Sequence, residues 1–359
     1  MSCPDRVATR ADVAIRGVRL ATPVRRTGGA GPSDDGHVVL DGFASAIPRR
    51  ADSPYLVRDG RLLIERMGSV TDLGIEVEPV RRPRFYDLET ADGTNYEKIA
   101  KLHGKDVLAT TVVQTCSRYA PENRCRFCAI EESLNSGATI AVKTPAMLAE
   151  VAEAAVRLDG VRHVVMTTGT STAPDRGARH LARCVRAIVA AVPGLPVQVQ
   201  CEPPADLATI TELREAGASS IGIHVESLDD GVRRRWMPGK SSGPLAEYWA
   251  AWTEAVRVFG RNQVSTYLLV GLGEDPDELV AGAQRLVELG VYPFVVPFRP
   301  LAGTLAVDED GAAAPDPAVL ADVSRRVAEA LQAAGMRGSD QMAGCAACGA
   351  CSVLQNLGA

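Results

Sequence analysis

The strongest constraint on the fold of this chain is a repeat in its secondary-structure signals. From about residue 106, short apolar β-branched runs alternate with helical patterns. Candidate strands lie at 107–114, 163–168, 196–201, 220–225, 264–270 and 292–298, with candidate helices at 145–158, 176–191, 205–216, 245–259 and 276–289 between or after them. Thr144-Pro145 opens the first helix as a capping residue followed by Pro at the first helical position, and Gly217 and Gly290 stop two others. Repeated strand, crossover helix, strand requires a parallel sheet wrapped by helices. Short apolar strands without strict alternation fit a sheet buried on both faces. A partial barrel and a doubly wound sheet both satisfy the pattern, and in either the chemistry belongs at the carboxyl ends of the strands.

This core divides the 359 residues into three parts: an N-terminal α+β cap region over 1–105, the barrel over 106–305, and a C-terminal helix and cysteine-rich tail over 306–359. In the first part Asp59-Gly60 stands between two apolar runs, the strongest short-range hairpin signal. Residues 28–36 read as an exposed loop and 95–103 as a short helix that delivers the chain to the first barrel strand. The formal net charge of −5 favours neither a nucleic-acid nor an anionic-membrane partner. No apolar run reaches membrane-spanning length, and residues 1–16 carry Asp5 and Asp12 and lack the apolar core of a signal peptide, so a cytoplasmic protein is expected.

Six of the nine cysteines fall into two tight clusters. Cys116, Cys125 and Cys128 follow the first candidate strand at spacing x8 then x2, and Cys345, Cys348 and Cys351 occupy the tail at x2 then x2. Cys3, Cys184 and Cys201 stand alone, the last two reading as buried small hydrophobes. Clustered thiols in a cytosolic chain favour metal chemistry over a disulfide framework. Three thiolates on a cubane iron–sulfur cluster leave one iron open, and open coordination marks a catalytic metal. The bland alternatives are a zinc site completed by His103, His163, His180 or His224, or unrelated buried thiols.

Further motifs follow in order down the chain. Phe127 precedes the last cysteine of the first cluster, and Thr168-Gly169-Thr170 ends the second strand. Ile221-Gly-Ile-His-Val-Glu226 occupies the fourth, Arg235-Trp-Met-Pro-Gly-Lys240 follows it, and Tyr267-Leu-Leu269-Val-Gly271-Leu-Gly273-Glu274 ends the fifth. Val296-Pro-Phe-Arg299-Pro-Leu-Ala-Gly-Thr304 ends the sixth. Together with the cysteine loop, these resemble the radical S-adenosylmethionine (SAM) superfamily, with a biotin-synthase-like barrel. The resemblance implies an α/β fold, a partial (β/α)6 TIM-like barrel of the radical SAM type. It also implies a [4Fe-4S] cluster on Cys116, Cys125 and Cys128 whose open iron chelates SAM. Phe127 would lie against the adenine, Thr168, Gly169 and Thr170 would meet the SAM amino group, and Glu226 and Lys240 would contact SAM, Lys240 at its carboxylate. Leu269, Gly271 and Gly273 would pack on the adenine. The chain departs from the family at the missing glutamate after Gly169, at Lys240 in place of Arg, and at Tyr267 in place of Gly.

The activity so implied is reductive cleavage of SAM to a 5′-deoxyadenosyl radical that takes a hydrogen atom from a small-molecule substrate, with electrons from a low-potential donor such as flavodoxin or ferredoxin. No individual catalytic residue is assigned. The tail spacing matches the first three ligands of a bacterial ferredoxin run, with Gln355 where a fourth cysteine would stand. An auxiliary iron–sulfur cluster on Cys345, Cys348 and Cys351 is therefore expected, completed by Ser352, Cys3 or substrate. A mobile tail binding zinc or nothing is the alternative. The extension ending near Asp92-Gly93-Thr94, the x8-x2 loop and the tail also resemble, more loosely, a radical SAM family encoded beside nitrilases in bacterial gene clusters, which implies a small metabolite of nitrile or related nitrogen chemistry. Two rival functions are an RNA- or peptide-modifying radical SAM enzyme, for which Arg233, Arg234 and Arg235 would be a basic contact, and a non-catalytic iron–sulfur or zinc scaffold.

Overall fold

The computed structural model describes residues 5–20 and 37–358. Cys3 and the loop expected at 28–36 lie outside the described residues. The chain opens with helix α1 (Arg6–Arg16), capped by the Asp5 carboxylate, which accepts from the backbone of Val7 and Ala8. Strands β1 (His37–Leu40), β2 (Phe43–Ala46), β3 (Tyr55–Arg58), β4 (Arg61–Arg66) and β5 (Ser69–Pro79) form an antiparallel sheet in the order β2-β1-β5-β4-β3. Asp59 and Gly60 have φ of 51° and 70°, the left-handed pair that a two-residue hairpin turn needs, and Arg58 pairs with Arg61 across it. This sheet and α1 bury a core of their own around Val13, Tyr55, Leu62 and Ile75.

The stretch expected as a helix over 95–103 is something else. Asn95 caps a 3₁₀ turn, Tyr96–Lys98, and the chain then extends as β6 (Lys101–His103), antiparallel to β7 (Val107–Thr111). Lateral partners hold it there: Thr110 Oγ1 donates to the Ile99 carbonyl, and the Tyr86 hydroxyl accepts from Leu102 N. These backbone groups are committed across the sheet and cannot close helical turns.

Strands β8 (His163–Thr167), β9 (Val197–Gln200), β10 (Ser220–Gly222), β11 (Val264–Val270) and β12 (Val291–Pro297) complete a curled seven-stranded sheet ordered β12-β11-β10-β9-β8-β7-β6. From β7 to β12 the strands are parallel and neighbours in chain order. The six expected barrel strands are thus present, with β6 added at one edge. Between β7 and β8 lie α2 (Glu132–Asn135) and α3 (Pro145–Asp159); α4 (Ala178–Ala191) and α5 (Ala208–Glu215) fill the next two crossovers. Three helices, α6 (Asp230–Trp236), α7 (Pro238–Ser241) and α8 (Leu245–Phe259), follow β10, and α9 (Pro276–Leu289) follows β11. Beyond β12 come α10 (Leu305–Asp308), α11 (Pro317–Ala333) and α12 (Cys345–Cys348). Helix starts are set as the sequence reads: Thr144 Oγ1 accepts from Met147 N ahead of Pro145, and Asp275 caps α9 ahead of Pro276. Every residue of β9 and β12 is buried, as strands covered on both faces require. Among the described residues no helix is long and apolar enough to cross a membrane.

The tail after α11 fills the bore of this half-barrel. Along β9, Val197 and Val199 join the main apolar core, while Gln198 and Gln200 point to the other side, where they meet Cys345. The amino ends of the strands hold the incoming segment: Asn262 Nδ2 donates to the Arg337 carbonyl, Gln263 Nε2 to that of Asp340, and Ser220 Oγ to that of Ala343. Ser352 Oγ then reaches the Val295 carbonyl on β12, and Cys351 meets His103 on β6. The tail therefore floors the bore and spans the gap between the two edge strands.

Candidate functional site

The loop from β7 to α3 carries Cys116, Cys125 and Cys128, and backbone bonds pin it to the carboxyl ends of neighbouring strands. Gly169 N donates to the Val113 carbonyl, and Ser117 N to that of Thr170. A Cβ at Gly169 would lie 1.9 Å from the Thr115 carbonyl oxygen, so only glycine lets the loop seat on the end of β8. Farther along, Gly239 N donates to Asn123 O, Arg126 N to Trp236 O, and Ala306 N to Arg126 O. The Arg126 guanidinium closes the clamp on Asp310 at 2.6 Å and Glu309 at 2.9 Å.

A buried brace ties the two ends of this loop together. Lys143 Nζ donates to Gln114 Oε1, Thr139 Oγ1 and the Ile140 carbonyl, while Gln114 Nε2 donates to the carbonyl of Ile130. Burial pushes the Lys143 ammonium down to about 7; three acceptors on one buried amine are its compensation. Gln114→Leu is expected to destabilise the fold by about 1–3 kcal/mol, because it leaves Lys143 and the Ile130 carbonyl each short of a partner. Urea unfolding measures this, and an unchanged midpoint would mean that the brace is not needed.

Cys128 N donates to the Cys125 carbonyl at 2.9 Å, which folds the last two thiols of the loop into one tight turn. Burial pushes the Cys128 thiol up to about 11 and that of Cys125 well above the ordinary range. Thiols held this way keep their protons until a metal displaces them. Among the described residues no three His, Cys, Asp or Glu side chains are placed to share a single metal ion. A cubane, by contrast, takes each thiolate on a different iron, and three soft donors on one loop fit that demand. The four histidines weighed for a zinc site have other partners: His180 meets the Lys143 carbonyl, His224 Nδ1 accepts from Tyr267 N, His163 Nδ1 accepts from Gly344 N, and His103 stands by Cys351. The eight described cysteines are free thiols, and Cys184 and Cys201 are buried as expected.

Phe127 and Cys125 pack against a small apolar cluster of Trp236, Met237, Leu272 and Phe298, which Leu269 also joins. The loop's aromatic residue and the end of β11 thus border the same apolar cluster. Gly271 and Gly273 turn the chain at φ of 108° and 96°, with Glu274 accepting from Gly271 N and Leu272 N. The group that crowds Gly271 is Pro315, 2.9 Å from where a Cβ would stand.

Glu226 and Lys240 face each other at 2.6 Å, and Lys240 Nζ also donates to the His224 carbonyl. Both side chains are about nine-tenths buried, 13% and 10% exposed. Burial raises the Glu226 carboxyl against the pull of Lys240; burial also acts to lower Lys240, but Glu226, Tyr248, Glu202 and Cys125 together outweigh it and keep the ammonium charged. Glu226 has φ of 62°, a left-handed conformation that a side-chain-bearing residue holds only when its surroundings impose it. Backbone bonds to Tyr267 and Leu269 do so here.

Sequence reasoning missed a second charged group beside this pair. Glu202, just past β9, receives Thr170 Oγ1 at 2.8 Å, Arg118 at 2.9 Å and Arg176 at 3.6 Å. Its only sequence signal was a carboxylate immediately after a strand of the barrel. Of the Arg233–Arg235 run, read as a basic contact for RNA or peptide, Arg233 is buried on Asp230 and the Gly243 carbonyl, while Arg234 and Arg235 are exposed, Arg235 over the Trp236 ring.

Tyr267 departs from the family pattern for a visible reason. Its hydroxyl stands 2.8 Å from Cys345 Sγ and its ring stacks on His224 with centroids 3.9 Å apart. The tail thiols each meet the barrel, Cys345 at Gln200 and Tyr267, Cys348 at Gly104 and Cys351 at His103. Tyr267 and His224 thus link the tail triplet to the Lys240–Glu226 pair, since the His224 carbonyl accepts from Lys240.

The family model of the radical SAM superfamily matches residues 119–286. A bacteriochlorophyllide c C-7(1)-hydroxylase of Chlorobaculum limnaeum is 24% identical over 218 residues, 55% of this chain and 54% of the relative. A lipoyl synthase of Thermus thermophilus is 30% identical over 171 residues, 46% of this chain and 50% of the relative. The chain spans about half the length of the curated relatives it matches. Among solved structures, the FeFe-hydrogenase maturase HydG from Carboxydothermus hydrogenoformans aligns with a TM-score of 0.48 at 16% identity, over 64% of this chain and 52% of that one. The parallel strands and the cysteine loop at their carboxyl ends thus coincide with the stretch, 119–286, that matches the radical SAM superfamily model, and this part of the chain is a radical SAM domain.

Proposed function

We propose that this protein reductively cleaves SAM at a [4Fe-4S] cluster on Cys116, Cys125 and Cys128, acts on a small-molecule substrate, and carries an auxiliary iron–sulfur cluster on Cys345, Cys348 and Cys351. The observation that carries this reading is that both thiol triplets are held on the same half-barrel sheet. One lies at the carboxyl ends of the parallel strands, the other inside the same bore toward their amino ends. When bound, the first cluster and SAM supply the electron transfer and the 5′-deoxyadenosyl radical; the hard chemistry is the cofactor's.

The chain's own residues bind, orient and seal. Phe127 and Leu269 offer an apolar wall for the adenine, with Gly271 and Gly273 turning the chain away beyond it. Thr168, Gly169 and Thr170 present the end of β8 to the amino group. Lys240, held charged by Glu226, offers a cation for the carboxylate, as a point charge and not a bidentate fork. The tail floor keeps water from entering the bore from below, which protects a reactive species generated above. A low-potential donor of the flavodoxin or ferredoxin kind and a cytoplasmic setting complete the reading. The resemblance to the family encoded beside nitrilases directs the substrate search toward small nitrogen-containing metabolites.

Anaerobic reconstitution should give iron and sulfide for more than one cubane, and the reduced protein should release 5′-deoxyadenosine from SAM. A reconstituted, reducible protein that binds SAM without cleaving it would overturn the enzymatic reading. Replacing Cys345, Cys348 and Cys351 by serine is expected to remove the second cluster's share of iron while SAM cleavage continues without product. Retention of full turnover by that variant would take the tail out of the mechanism.

A further inference from the structure

We infer that His103 Nε2 is the fourth protein ligand of the tail cluster, an assignment that rests on the reading of Cys345, Cys348 and Cys351 as an iron–sulfur site. The triplet supplies three thiolates, and a cubane takes four ligands. Of the candidates named, Cys3 lies outside the described residues and Ser352 Oγ donates to the Val295 carbonyl; the Gln355 amide, at the position of a fourth ferredoxin cysteine, donates to the carbonyl of Ala44. Among the described residues, polar side chains meet two of the sulfurs: Gln200 Nε2 and the Tyr267 hydroxyl at Cys345, and His103 Nε2 at 3.6 Å from Cys351. An amide nitrogen has no available lone pair and a phenol must first lose its proton. A neutral imidazole is an established replacement for a cluster cysteine.

The placement of His103 supports the same role. It closes β6 opposite Val107, so a sheet strand and not a mobile loop delivers the ring to the amino end of the barrel. His37 fixes the ring by an edge contact, with centroids 4.4 Å apart and planes at 75°. The next residue, Gly104, has φ of 62°, and Cys348 Sγ stands 2.8 Å from where its Cβ would be. A side chain at 104 would push Cys348 aside. Two consecutive residues of β6 and its turn therefore meet two of the three thiols, one by offering a nitrogen and the other by leaving room.

The test uses the full chain with Cys116, Cys125 and Cys128 replaced by serine, so that any cluster signal belongs to the tail. The protein is reconstituted anaerobically, reduced with dithionite and examined by hyperfine sublevel correlation EPR after growth on natural or ¹⁵N-histidine. The expected result is the strong nitrogen coupling of a directly bound imidazole, changed by the isotope and absent in His103→Ala. His103→Cys should keep the iron, lose the nitrogen coupling and shift the midpoint to lower potential, because a thiolate adds negative charge where imidazole adds none. A tail cluster with iron and sulfide but without histidine coupling, or with coupling that survives His103→Ala, overturns the ligand assignment and leaves the cluster reading standing. A chain that binds no iron once the first triplet is gone overturns the cluster reading itself, and the ligand with it. The isotope comparison is made on protein with His103 intact, so the answer does not depend on the folding of a histidine variant.

Discussion

Replacing Cys116, Cys125 and Cys128 together by alanine is expected to reduce 5′-deoxyadenosine release to the uncatalysed background and to remove one cluster's iron while the tail's remains. The expectation follows from how the loop is held. Its anchors are backbone hydrogen bonds to Gly169, Thr170, Gly239 and Trp236, together with the Arg126 clamp on Glu309 and Asp310. None of these needs a thiol, so the variant should keep its circular dichroism and its unfolding midpoint. Loss of activity with an intact fold would then be the loss of ligands alone. The measurement is chromatographic detection of 5′-deoxyadenosine after reduction with SAM present, paired with iron and sulfide counts. A triple variant that cleaves SAM at the parent rate would mean that the loop is not the site.

The second large effect is expected at Lys240. In Lys240→Met the Glu226 carboxylate keeps its buried place and loses the cation 2.6 Å away. Removing one partner of a buried pair destabilises by about 3–5 kcal/mol, mostly from the charge left behind. The sign of the pH dependence follows. Burial already raises the Glu226 carboxyl, and without Lys240 it rises further. The penalty is therefore full above the folded-state value and fades as falling pH protonates the group. Glu226→Gln added to Lys240→Met should restore most of the loss, since an amide carries no charge to strand. A double-mutant cycle in urea at two pH values reads all of this; additive effects would show that the pair is not coupled. The SAM affinity of the double variant separates stability from function, because restored folding with lost binding is what a carboxylate-contacting lysine predicts.

The parts of the fold that were legible in sequence are those written in local periodicity. Six strands of the barrel come from apolar runs, and the helix ends from Thr144, Pro145, Asp275 and Gly290, each acting on its own neighbours. β6 was not legible, because three residues become a strand only when β7 offers an edge and Thr110 and Tyr86 take their backbone partners. The same division runs through the site. The cysteine triplets stand out because thiols are rare and their spacing is local. The Arg118–Glu202–Arg176 group does not, since three different crossovers bring it together. Tyr267 looked like a flaw in a motif and is a contact with the tail. Arg233 looked like a surface charge and is buried under Tyr248. In both cases the partner lies where composition gives no sign of it.

The floor of the bore also dictates an order of assembly. Cys345 meets Gln198, Gln200 and Tyr267 across sequence separations of 147, 145 and 78 residues, whereas each strand and its crossover helix meet within a few tens of residues. Contacts between neighbours in sequence form first, and those that must close long loops form late. The barrel wall is thus raised before its plug arrives, and the gap between β6 and β12 stays open until then. On the two-cluster reading proposed above, iron for the tail thiols would have its passage in that interval, and the last segment to dock would then decide whether the protein matures with one metal centre or two.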